Sequence, residues 1–345
     1  MFDNFVGNRE AAGTLGRMIE AGRIPQTILL DGPEGVGKAT LARRFAARLL
    51  GGAERIEQDD QSLSHNMSFV EEREKLPSDK RADDPLLFAT HPDFVTFPPD
   101  GPLRQISIQQ MRLLKQRAQY GPLSGNWRVF LLDGIDRANE QAANSLLKTL
   151  EEPPGYLILL LTAENPYDLL PTIRSRAVPV RLAPLSAEEM KEFARLRGLD
   201  NAARRIALAA GRPGVALSLD LEEYDKRRQA MCALIEVAAG VEQFPVWAGY
   251  AEKLAQARSE KLEPYLKVLY LLLEDLLHTR ERAGDLRNPD LGQWMERLSG
   301  SVSFQWIRQA VRQTDELVQL LRRNIHKNIA LDALVIRLRD LARVA

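Results

Sequence analysis

Apolar positions along the 345-residue chain change their period near residue 182. Before that point, short apolar runs at 27–31, 93–97, 127–133, 156–162 and 178–182 alternate with segments of helical spacing at 39–50, 107–119 and 137–151. Strands alternating with helices predict a parallel sheet covered on both faces. The nearly unbroken Leu and Ile of residues 156–162 predicts a central strand buried on both sides. Between 51 and 90 the pattern dissolves into Glu, Asp, Gln, Ser and Lys, which reads as a solvated, partly disordered excursion.

After residue 182 the strands stop. Ser186 and Glu189 form a capping box that opens a helix, and 200–210 and 214–221 complete a small helical unit whose turn holds Gly211, Pro213 and Gly214. Segments at 222–239, 243–258, 261–283, 303–323 and 328–343 carry apolar stripes such as Leu262, Leu266, Leu269 and Leu273. Such stripes face a core, and one helix bundle accommodates them all. The expected organisation is an α/β domain at 1–182, a three-helix domain at 183–221 and an all-α domain at 222–345.

The chemistry concentrates in the first of these. Gly32, Gly35, Gly37 and Lys38 lie between a predicted strand and a predicted helix. In that context they form a phosphate loop, with backbone amides, a helix N-terminus and the lysine facing an anion. The next residue is Ala39, where a Ser or Thr hydroxyl would bind magnesium. Thr40 follows, but one residue is about 100° around a helix, so it is a poor substitute. A second element, the strand ending at Asp133, suits a carboxylate near magnesium at the sheet's carboxyl edge. Gly134 follows it, and Asp136 is expected to point elsewhere, so no general base is within reach.

Composition narrows the partners. Lys plus Arg and Asp plus Glu balance at 47 each, which argues against strong independent DNA binding, since phosphate neutralisation supplies most of that affinity. The N-terminus has no signal-peptide character and no apolar run spans a bilayer, so a cytoplasmic protein with no membrane partner is expected. Cys232 sits at helical apolar spacing and reads as a core thiol. His65, His91, His278 and His326 have no second ligand at metal spacing, so neither zinc nor another resident metal is expected.

Residues 144–154 (Asn-Ser-Leu-Leu-Lys-Thr-Leu-Glu-Glu-Pro-Pro), 162–166 (Thr-Ala-Glu-Asn-Pro) and 170–177 (Leu-Pro-Thr-Ile-Arg-Ser-Arg-Ala) resemble modules of the AAA+ clamp-loader family. The last stretch is similar to that family's Ser-Arg-Cys motif, with Ala177 in place of Cys. Phe5-Val6-Gly7-Asn8 resembles its adenine-side segment, and 324–334 the close of its collar domain. The resemblance implies a RecA-like AAA+ domain, a lid and a helical collar that holds an oligomer together. It implies ATP or ADP as ligand, with Val6, Gly32, Gly35, Gly37, Lys38, Ala39, Thr40 and Asp133 around it and weak or absent magnesium positioning. Arg176 becomes an arginine finger acting on a neighbouring subunit; the alternative is a plain ion pair near a strand start. Thr162 and Asn165 fall at the first sensor and Gly214 at the second, where an arginine is expected. An intact finger beside a degraded motor resembles a member of that family that hydrolyses little or no ATP itself, which implies as partners the family's motor subunits and delta subunit, and through them the sliding clamp and primer-template DNA. An autonomous ATPase of the same family, and a non-catalytic AAA+ scaffold in recombination or repair, are the rival readings.

Overall fold

A computed structural model describes residues 2, 5–256, 261–321 and 327–344. The end of the helix expected at 243–258, and residues 322–326 with His326 among them, lie outside the described residues. By the density of internal contacts the chain divides into two units, Met1–Leu199 with Gly211–Val215, and Asp200–Ala210 with Ala216–Ala345.

The first unit is built on five parallel strands, β1 (Thr27–Asp31), β2 (Phe94–Phe97), β3 (Arg128–Leu132), β4 (Leu157–Ala163) and β5 (Val178–Arg181), in the order β2-β3-β4-β1-β5. Central β4 is buried at every residue. Its side chains alternate between two cores: Leu157, Leu159 and Leu161 face one, Ile158 and Leu160 the other. Helices α1 (Arg9–Glu20) and α2 (Lys38–Leu50) cover the second face. Helices α6 (Ile108–Ala118) and α7 (Glu140–Glu151) cover the first. Edge strand β5 is exposed at three of its four residues, which is where Pro179 can sit without breaking a ladder.

The excursion at 51–90 is not disordered. It folds into α3 (Ala53–Glu57), α4 (Ser64–Glu74) and α5 (Ser78–Asp83). On α4 the buried positions are Asn66, Val70 and Arg73, a helical stripe that is two-thirds polar and therefore invisible to an apolar pattern. Arg73 reaches the Asp84 carbonyl at 2.6 Å and the Asp100 carboxylate at 2.8 Å.

Helix α8 (Pro171–Arg174) precedes β5; after β5, α9 (Ala187–Arg197) starts with the expected box, Ser186 Oγ accepting from the Glu189 amide and Glu189 Oε2 from the Ser186 amide. Helices α10 (Ala202–Ala209) and α11 (Pro213–Ser218) fall where helices are expected. Helices α12 (Leu221–Ala238), α13 (Phe244–Gln256), α14 (Glu263–Glu281), α15 (Gly292–Ser299), α16 (Phe304–Leu321) and α17 (Lys327–Val344) form the bundle around Trp247, Leu272, Met295 and Trp306. Helix α15 has too few turns to show a period and is absent from the expectation. Fully buried Asp275 ties the chain before it, accepting from the Arg287 amide at 2.5 Å and the Asn288 amide at 2.9 Å. Cys232 packs half-buried against this core, and burial pushes its thiol up to about 12. No helix among the described residues is long and apolar enough to cross a membrane.

Candidate phosphate-loop site

The loop leaves β1 at the carboxyl end of the sheet and feeds α2. Gly32 has φ 146°, and a Cβ there would lie 2.1 Å from the Leu182 carbonyl oxygen, so only glycine lets the chain turn this close to the strand beside it. Lys38 curls back over the turn and donates to the carbonyls of Gly32 at 2.5 Å and Pro33 at 2.8 Å. Burial lowers its pKa, while the negative fields of Glu164, Asp133, Asp136 and Glu34 oppose that shift. Ala39 and Thr40 take the first turn of α2, both half-buried.

Three further segments converge on the loop. Gly214, at the expected second sensor, donates its amide to the Gly35 carbonyl at 2.8 Å. A Cβ on Gly214 would stand 3.0 Å from that oxygen, so an arginine does not fit without moving the loop. From the N-terminus, Phe5 lies against Gly37 and beneath the Arg44 guanidinium, half-buried Val6 follows, and Asn8 exchanges two hydrogen bonds with the Ala183 backbone. From the sheet comes Asp133. Thr162 Oγ1 donates to its Oδ1 at 2.6 Å and accepts the Gly134 amide at 2.7 Å. Gln61, from the excursion, donates Nε2 to Oδ2 at 2.5 Å.

Asp136 Oδ2 accepts the Glu164 amide at 3.1 Å, and burial raises its pKa, while its charge still falls among those acting on Lys38. Asn165 uses its side chain to cap Tyr167 and contributes nothing to the loop in this geometry. Among the described residues no group of His, Cys, Asp and Glu could hold a metal ion.

Arg176 is not brought to this site. It precedes β5, whereas the phosphate loop follows β1, and these two strands are parallel neighbours. The arginine therefore sits at the amino end of the sheet, about 16 Å of strand away from the loop. Its guanidinium donates to Glu151 Oε1 at 2.9 Å and to the Thr172 carbonyl at 3.0 Å, remaining exposed.

A family profile described as DNA polymerase III, delta subunit, matches residues 7–186, more than half the chain. The chain belongs to this DNA polymerase III family, in its delta prime branch. The DNA polymerase III subunit delta' of Pseudomonas aeruginosa is 28% identical over 325 residues, 90% of either chain. The Escherichia coli K12 subunit delta' is 29% identical over 224 residues, covering 62% of this chain and 63% of its own. The gamma/tau subunit of Mycobacterium tuberculosis H37Rv is 31% identical over 185 residues, 53% of this chain but only 29% of that longer protein.

The α/β unit with a parallel sheet expected from the apolar pattern is present, followed by an all-α remainder. The residue that sequence reasoning missed is Gln61. A lone glutamine in a polar stretch carries no signal, and only the closed geometry of α3 and α4 reveals where it points.

Proposed function

We propose that this chain is a delta prime subunit of a clamp loader, whose Arg176 serves as an arginine finger for the nucleotide of an adjacent motor subunit. One observation carries the reading: the finger and the phosphate loop lie at opposite ends of parallel strands, so Arg176 serves a neighbour's site rather than its own. Its pairing with Glu151 is solvent-exposed and worth roughly 0–1 kcal/mol, little enough for an incoming phosphate to displace. A guanidinium so placed stabilises the charge that develops on a transferring phosphoryl group.

The chain's own site supports nucleotide retention without turnover. Gly32, Gly35, Gly37 and Lys38 offer amides and a cation to ATP or ADP, with Val6 on the adenine side, Ala39 and Thr40 at the helix start and Asp133 opposite. Ala39 has no hydroxyl for magnesium, Gly134 no carboxylate for water, and Gly214 no guanidinium for the γ-phosphate. The three-domain division at 182 and 221, with the bundle as oligomerising collar, belongs to the same proposal, as do delta, the motor subunits, the sliding clamp and primed DNA as partners.

The test is Arg176→Ala in a reconstituted loader. Turnover at the neighbouring site should fall by a factor on the order of 10³–10⁵, while unfolding of this subunit shifts by no more than about 1 kcal/mol. Unchanged ATPase and unchanged clamp loading would overturn the assignment.

A further inference from the structure

AAA+ sites normally hold magnesium between a loop hydroxyl and a strand-end carboxylate, and the residues here do not fit that ion. The loop position is Ala39, and both oxygens of Asp133 are already engaged, Oδ1 by the Thr162 hydroxyl and Oδ2 by the Gln61 amide. A hard divalent cation needs such oxygens with their lone pairs directed at it or at its water shell.

The turn that carries Gln61 is constructed, not loose. Asn66 is 5% exposed and donates Nδ2 to the carbonyls of Gln58 and Asp60, both at 2.8 Å. Asp60 Oδ1 accepts from the Ser62 amide and hydroxyl at 2.9 Å each, and its Oδ2 is held by Arg43. Arg43 is 2% exposed, lies on the helix that starts at the phosphate loop, and also binds Glu57 at 3.0 Å. Asp59, wholly buried, accepts the Thr90 amide at 3.1 Å and fixes the far end of the excursion to the same turn. Five polar side chains thus hold residues 58–62 in one conformation, and the outcome of that conformation is the Gln61 amide on Asp133.

We propose that Gln61 is a specificity-determining residue that takes the place of magnesium at Asp133, so that nucleotide bound at the Gly32–Lys38 loop is bound independently of the metal. The amide neutralises a lone pair but brings no charge, which keeps the carboxylate oriented while denying the site a divalent ion. The 51–90 excursion acquires a function in consequence: it is the scaffold that delivers this amide. This inference rests on the reading of Gly32–Lys38 as a nucleotide seat.

The experiment titrates a fluorescent ADP analogue into the full chain with and without MgCl₂, for wild type, Gln61→Leu and Gln61→Ala. The leucine variant preserves bulk where alanine leaves a gap, so a folding defect specific to one does not mask the result. Manganese in place of magnesium, read by loss of its free-ion EPR signal in the presence of ADP, reports metal capture directly. Wild-type affinity is expected to be the same with and without magnesium, whereas both variants tighten with the metal by about tenfold, or roughly 1.4 kcal/mol, and capture manganese. The same magnesium response in all three proteins overturns the role of Gln61 alone. Absence of nucleotide binding in all three overturns the nucleotide seat and this inference with it, and leaves the Arg176 assignment to its own test.

Discussion

Thr162→Val removes one hydroxyl from a side chain that is 1% exposed and changes almost nothing else in shape. That hydroxyl joins the Gly134 amide to Asp133 through bonds of 2.7 and 2.6 Å. A neutral hydrogen bond contributes about 0.5–1.5 kcal/mol and one to a charged group about 1.5–3 kcal/mol. Asp133 is half-buried and keeps Gln61, so the lower part of the combined range applies, about 2–3 kcal/mol. Thr162→Ser retains the hydroxyl and loses a methyl group, about 1 kcal/mol. Because the chain has two units, a single global melting temperature is a poor observable. Hydrogen exchange of peptides covering β3 and β4 reads the relevant opening free energy instead. A valine variant that loses less than about 1 kcal/mol, or a serine variant that loses as much as valine, would refute the argument.

Two other substitutions test the excursion. Arg73→Ala strands the Asp100 carboxylate, whose side chain is 8% exposed, and should cost about 3–5 kcal/mol of local stability, whereas the Asp84 carboxylate at 85% exposure contributes little; limited proteolysis should then cut within 51–90 while β1 and β4 stay protected, and unchanged resistance would contradict the buried-pair account. Burial raises the pKa of Asp59, one oxygen of which has no hydrogen-bond partner. A raised carboxyl pKa means the folded state favours the proton: the contribution is fully present below the unfolded value near 3.9 and is lost as pH rises through the folded value. Asp59→Asn should therefore be more stable than wild type at pH 7, and the gap should close as pH falls toward about 4; a gap independent of pH would mean that charge burial is not the cause.

The central strands were legible because they are apolar on both faces, and short runs such as Ile28–Leu30 and Leu157–Leu161, bounded by turn residues, suit a strand buried on both sides. The phosphate loop was legible for a related reason: tight turns before helices tolerate few residue types, as the 2.1 Å approach at Gly32 shows. What stayed hidden was polar packing. Helix α4 buries Asn66 and Arg73, which an apolar period discards, and α15, eight residues long, has Trp294, Met295 and Leu298 to declare it. The site was half legible in the same sense. Gly214 reads from sequence as a missing arginine, but the hydrogen bond its amide donates to the Gly35 carbonyl makes it a structural partner of the loop.

Placing a phosphate loop after one strand and an exposed arginine before its parallel neighbour gives the module a direction. Contacts that join one such end to the opposite end of the next subunit are heterologous, so an assembly made by them has polarity, like a line of hooks and eyes. In the assembly proposed above, a member with a sound hook and a closed eye would mark a terminus of the series of working sites, and the order of subunits would then follow from a single residue's position along a strand.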